Sequence, residues 1–368
     1  MRMLYARMRY TVTSHGTNRE FTETFRSWWG ILAGDSFSPN LFTFFKADCV
    51  PPGSPYDIEL DGVAVMCLFL ADDIVFIEEL NDDMMEGKLG YMDGEWCPDN
   101  FLKMNVKKTK AMILGRLPQE LPNLKVNSKR IEIVETFKYV GVHFQSTHHF
   151  IFAEHYKQKA KEALKSMFPS VAWVESMIGD LWPVAMLCVF MARVDPHLVH
   201  GCEVAVDIHP PSFKLLDDVH VFGLRRILQV GSHSVKVALY TETGVLPLNY
   251  RHAKLQLCCV QYLIALPREQ LAAAGYRDAV QLLQNGKPGW FGDIKYMLNH
   301  LPLPVKMHLK DIETLEGVNA SIGHVDDSCA KWLHEELETN ERTPLLKGRL
   351  KTNQVPVLKD VVRLRPYL

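Results

Sequence analysis

The chain has almost no net charge, no CxxC cysteine spacing and no long apolar run, and each absence removes a class of protein. A formal net charge of −2 supplies no global basic field that would gather nucleic acid, so any such surface must be local. Eight cysteines stand at 49, 67, 97, 188, 202, 258, 259 and 329 without CxxC spacing. That pattern offers no zinc signature and fits a reducing intracellular compartment, nucleus or cytoplasm. The longest apolar runs, Val63 to Ala71 and Val184 to Ala192, fall well short of the ~20 residues that cross a bilayer. The first ten residues have no uninterrupted apolar core of the kind a secretion signal needs, so neither export nor a membrane partner is expected. Repeats and low-complexity tracts are missing too. What remains is a globular composition, 47% hydrophobic and 23% charged over 368 residues, enough for two or three domains with sizeable cores.

Within that ordinary background one tripeptide stands out, Ala71-Asp72-Asp73. Val63 to Leu70 leads into it and Ile74 to Ile77 leads out. Both runs read as short, largely buried strands, which puts the two aspartates at or beside the bend of a tight hairpin. Adjacent carboxylates repel each other and are costly to desolvate beside apolar surface. A hard divalent cation relieves both penalties, and Mg²⁺ is commonly held by one or two carboxylates plus substrate phosphates. A plain solvated turn has the same two residues, so the flanking sequence must decide.

Ser38-Pro39 reads as a helix start, with Ser38 as N-cap and Pro39 at the first helical position. Leu41, Phe44, Phe45 and Asp48 then follow at helical spacing, for a helix of about ten residues. Residues 80–102 occupy the place of a covering helix but contain Gly87, Gly90, Gly94 and Pro98. In a helix interior these cost about 6 kcal/mol together, which rivals the ~5–15 kcal/mol net stability of a domain. A helix broken into pieces, or a drifted sequence, is expected there. Charge is divided sharply: residues 78–99 carry eight acids against the single cation Lys88, whereas 103–130 carry eight cations against Glu120. The two segments either form balancing solvated faces or place a basic strand beside a polyanion. Beyond Phe144 helical spacing takes over, with Phe152, Tyr156, Ala160, Ala163, Leu164 and Met167 on one face and Pro169 as the stop. Further helices are expected near 171–178, 184–199, 213–229 and 250–266. Residues 267–368 read as mixed. His148, His149 and His155 have no metal-ligand spacing and read as loop and helix-surface residues, and Cys258-Cys259 as core.

Four segments in order resemble one family. They are Gly34-Asp35-Ser36-Phe37-Ser38-Pro39, Leu70-Ala71-Asp72-Asp73, Leu102-Lys103-Met104-Asn105-Val106-Lys107-Lys108-Thr109-Lys110, and Tyr139-Val140-Gly141 within Phe137 to Phe144. Together they are similar to successive motifs of reverse transcriptases from non-LTR (LINE-type) retrotransposons: the palm turn and helix, the metal hairpin, the lysine-bearing strand and the primer grip. Ser36 stands where the family commonly has proline, and Leu70 where it has an aromatic residue.

The resemblance implies an α+β fold: a partial polymerase palm, an antiparallel sheet with helices, over residues 1–147. A helical thumb-like region would follow over 148–266, and 267–368 has no assigned role. It implies RNA-directed DNA polymerase chemistry, a nucleotidyltransferase using an RNA template, a DNA primer, deoxynucleoside triphosphates and two Mg²⁺. Asp72 would then be a metal ligand and Asp73 its neighbour. Lys110 is the candidate general acid, with Lys108 as rival. Gly34, Asp35, Ser36, Ser38 and Pro39 would approach template and nascent pair, while Tyr139 and Gly141 would hold the primer. The family also needs a carboxylate-ended strand before the palm turn, yet the first aspartate here is Asp35. A C-terminal part of a polymerase, truncated and inactive alone, is therefore expected. The alternative is a non-catalytic nucleic-acid- or protein-binding remnant of a mobile element.

Overall fold

The computed structural model describes residues 36–79, 82–179 and 182–347, with Thr11 and Thr24 besides. Gly34, Asp35, the polar stretch around Glu20 and the basic C-terminal residues Arg349 to Arg365 lie outside the described residues. The fold is mixed α+β, with short strands in the first part and a helical region after it. The described residues divide into two compact units. Those up to 58, with 64–109 and 122–131, form the first; residues 59–63, 110–121 and 132 onward form the second.

In the first unit, the helix Ser38–Phe45 forms where the Ser-Pro signal lies, but its start is shifted by one residue. Phe37 is the N-cap, without a side-chain cap bond, and Ser38 and Pro39 open the first turn. Proline is tolerated there because its missing N–H has no intrahelical partner to lose. Ser38 is buried instead of capping, and of the expected apolar face Leu41 is buried while Phe44 lies in solvent. The segment with three glycines and a proline is helical in three successive pieces. Asp82–Tyr91 runs directly into a π-turn, Met92–Trp96, and then a last helical turn, Cys97–Asp99. The wider turn inserts a residue without ending the helix, and Pro98 falls in the first turn of the final piece. Met92, Trp96, Cys97 and Cys49 then bury together as a small core, with Phe69, Ile74 and Phe76 against it. That burial offsets the glycine cost, at ~1.5–3 kcal/mol for each large apolar side chain enclosed.

The expected lysine-bearing strand is short. Asn105 to Thr109 is a turn, in which Asn105 O accepts from Lys108 N and Thr109 N at 3.0 and 2.9 Å. Only Lys110–Ala111 is extended, pairing in parallel with Glu132–Ile133 in the second unit. Asparagine side chains favour such local turns by bonding the backbone two or three residues on, and Asn105 Oδ1 does so to Lys108 N at 3.3 Å.

The second unit is built on Thr136–Tyr139 and Val142–Gln145, an antiparallel hairpin, and then on helices. Ala153–Ile178 runs straight through Pro169, which was expected to end it. A proline here removes one hydrogen bond and crowds the preceding turn. Tertiary packing keeps the helix whole, with Tyr156, Ala160, Ala163 and Met167 in the core and Glu175 paired to Arg226 at 2.6 Å. The helices Pro183–Arg193, Pro210–Ile227 and Leu248–Ala265 follow near their expected places. The segment after residue 266 is helical as far as it is described, with Leu271–Gln284, Trp290–Asn299 and Leu315–Thr339. One apolar core runs from Phe150 to Leu337. It is cross-tied by Tyr250 to Ser328 at 3.2 Å and Lys254 to Asp326 at 2.7 Å. His155 is buried rather than on the helix surface, and Cys258 is exposed rather than in the core. Among the described residues no helix is long and apolar enough to cross a membrane.

Candidate carboxylate hairpin

Leu68–Leu70 and Asp73–Val75 pair antiparallel, Leu68 with Val75, Phe69 with Ile74 and Leu70 with Asp73. Ala71 and Asp72 are therefore the whole loop, and Asp73 is the first residue of the outgoing strand. Two-residue hairpin loops need a backbone that follows the strands' twist, which places positive φ at the first loop position or at both. Ala71 takes that conformation, at φ +49, where a left-handed L-residue costs roughly 1–2 kcal/mol. The flanking strands are only partly buried: Leu70, Ala71, Asp72 and Asp73 are exposed, while Phe69, Ile74 and Val75 are half-buried. The largely buried strands expected from sequence are absent because each has only three residues and one neighbour.

Two groups fix this bend, and neither belongs to the expected motifs. Lys46, at the end of the helix Ser38–Phe45, donates to the Ala71 carbonyl. Its ammonium also lies over the rings of Phe42 and Phe69, at 5.0 and 4.8 Å from their centroids. Below the hairpin is a buried charged cluster. Lys88, Asp57 and Glu78 have side chains each about 1% exposed. Lys88 Nζ donates to Asp57 Oδ1, stands 3.0 Å from Glu78 Oε2 and reaches the Met66 carbonyl at 3.3 Å. Burial alone would lower the lysine's pKa, but the two carboxylates outweigh it and raise it above the ordinary value. Asp57 also bridges to Glu78 through the backbone and caps its own loop at Ser54 N, 2.8 Å away. Lys88 thus ties the approach to the first strand, the exit from the second and the helix Asp82–Tyr91 together. The sequence signal for it was visible: it is the only cation among the eight acids of residues 78–99.

Of the other expected site residues, Ser36, Ser38, Pro39 and Lys108 belong with Asp72 and Asp73 to the first unit, whereas Lys110, Tyr139 and Gly141 belong to the second. Lys108 is exposed. Lys110 pairs with Glu132. Tyr139 and Val142 face each other across a loop of Val140 and Gly141, both at positive φ (+49 and +83), the pattern of a type I′ turn. Gly141 is required there twice over, since a Cβ would also sit 2.5 Å from His200 Nε2.

The donors fit one hard cation held by one or two carboxylates and water. Among the described residues no group of three His, Cys, Asp or Glu is placed to hold a metal. No protein-family model and no curated protein matches the chain.

Proposed function

We propose that this chain carries the carboxylate-hairpin part of a non-LTR retrotransposon reverse transcriptase, and that it no longer polymerises by itself. The observation that carries the reading is the two-residue bend that presents Asp72 and Asp73 to solvent. The order of the four sequence segments supports it, as do the type I′ hairpin at Tyr139 to Val142 and the helices that follow. By descent its partners are an RNA template, a DNA primer and deoxynucleoside triphosphates. Asp72 and Asp73 would recruit Mg²⁺ weakly. Lys110 or Lys108 would face the leaving phosphate, with Ser36, Ser38 and Pro39 on the template side and Tyr139 and Gly141 on the primer side. A second reading is a non-catalytic nucleic-acid-binding remnant, with which the pairing of Lys110 to Glu132 is compatible.

Three measurements test the first reading, and the metal titration separates it from the second. Mn²⁺ or Mg²⁺ titration of the purified chain should show weak binding that Asp72→Ala removes; binding that ignores Asp72 overturns the palm reading. An RNA–DNA hybrid should bind with a slope near −3 to −4 in log K against log salt if about four phosphates are neutralised. Primer extension on an RNA template should be undetectable, because misplacing a reacting group by about 1 Å can cost ~10²-fold in rate. Asp72-dependent synthesis by the unaltered chain would refute the incomplete donor set.

A further inference from the structure

The stretch Val305-Lys306-Met307-His308-Leu309-Lys310 alternates apolar and basic residues. Alternation of that kind sorts side chains to opposite sides of an extended backbone. The structure does this: Val305 and Met307 are buried in the second unit's core, whereas Lys306, His308 and Lys310 are exposed. His308 is extended, at φ −104 and ψ 157. Extended residues two apart project in the same direction at about 6.6 Å intervals, so Lys306 and His308 stand on one side, and Lys310 follows from the 3-10 turn Leu309–Asp311.

Facing them is one side of the helix Leu315–Thr339. His324, Asp327, Ser328 and Lys331 recur at i, i+3, i+4 and i+7, while Val325, Cys329 and Leu333 on the other side are fully buried. These basic residues and the helix face line a cleft of about 760 Å³, within the size range of small-molecule sites. Lysines outnumber acids in its lining, three to two. Lys331 reaches Glu335 only at 3.9 Å. Lys306 and Lys310 make no ion pair among the described residues. Of the two acids at the cleft, Asp311 is occupied by its own turn, accepting from His308 N at 2.7 Å. Ser328 is likewise spent on the Leu303 carbonyl at 2.6 Å, which holds the two walls together. Three lysines around one concavity outnumber Asp311 and Asp327, and an anion would relieve the surplus charge.

We propose that this cleft binds a polyphosphate group, carried either by an inorganic polyphosphate or by a nucleoside triphosphate. Lys306, Lys310 and Lys331 supply point charges to phosphate oxygens, His308 and His324 donate from the rim, and Asp327 is placed to accept from a ribose hydroxyl if the nucleotide is the source. The inference is independent of the carboxylate hairpin.

Calorimetric titration of the whole chain with orthophosphate, tripolyphosphate and ATP at low salt tests it. Tripolyphosphate should bind more tightly than orthophosphate and weaken as salt is raised. Changing Lys306, Lys310 and Lys331 together to Gln should weaken it at least ~tenfold, whereas Lys214→Gln, on another surface, should not. These positions are exposed, and an unchanged circular dichroism melt would confirm that the triple variant folds. If Asp327→Ala weakens ATP but not tripolyphosphate, the nucleotide is the ligand; equal affinity of the two, insensitive to Asp327, identifies the inorganic anion. Absence of tripolyphosphate binding, or binding indifferent to the three lysines, overturns the proposal. So would a single-stranded RNA held through these lysines that tripolyphosphate fails to displace.

Discussion

Replacing Lys88 by methionine would test how the carboxylate hairpin is held. The thioether keeps the length and apolar stem of the side chain but leaves Asp57 and Glu78, each about 1% exposed, without their cation. Removing one partner of a buried pair costs about 3–5 kcal/mol, mostly through the uncompensated charge left behind. That is a large share of the ~5–15 kcal/mol that a domain has. The pH dependence gives the mechanism away. In Lys88→Met, desolvation pushes the stranded carboxylates upward, so the folded form holds more protons than the unfolded one above about pH 4. Stability of the variant relative to the parent should therefore recover as pH falls toward 5 and worsen as it rises to 8. Urea unfolding at both pH values, with amide exchange over Leu68 to Val75 as the local probe, measures this. Neutralising the acids as well, with Asp57→Asn and Glu78→Gln, should restore most of the loss. A penalty below about 1 kcal/mol at pH 8, or one of the same size at pH 5, would refute the reasoning.

Three further outcomes are expected. Burial holds His155 down to about 4 and His220 to about 3, so both are neutral in the fold. Their contribution is complete above the ordinary histidine value of about 6.5 and drains away as pH falls through the window below it, by about 3 kcal/mol for His155 alone. Acid titration of stability should show that slope, and His155→Gln should lessen it, His220 keeping the rest; a flat parent profile would contradict the burial. Gly141→Ala should cost at least ~1–2 kcal/mol from its left-handed backbone, and His200→Ala should recover only the part due to the 2.5 Å clash, as read by chemical denaturation of the double variant. Pro169→Ala should stabilise the helix Ala153–Ile178 by up to ~3 kcal/mol, seen as a raised melting temperature; destabilisation would mean the ring's packing outweighs the missing bond.

Several local features were legible in the residues themselves because they depend on neighbours in sequence. The pattern of apolar–Asp-Asp–apolar marked a hairpin with the two aspartates at or beside its bend, and the chain forms it there. Ser38-Pro39 marked a helix start to within one residue, since proline's locked φ suits a first turn. Where the sequence reading went wrong, long-range packing had overruled a local preference. Pro169 read as a stop, yet core burial carried the helix Ala153–Ile178 across it. His155 looked like a surface residue because a helical period shows which residues share a face, not how much of the helix other elements cover. The same limit hid Lys88. Its position as the lone cation among eight acids was plain. That Asp57 and Glu78, ten or more residues away, would close around it was decided only when the hairpin and its covering helix met.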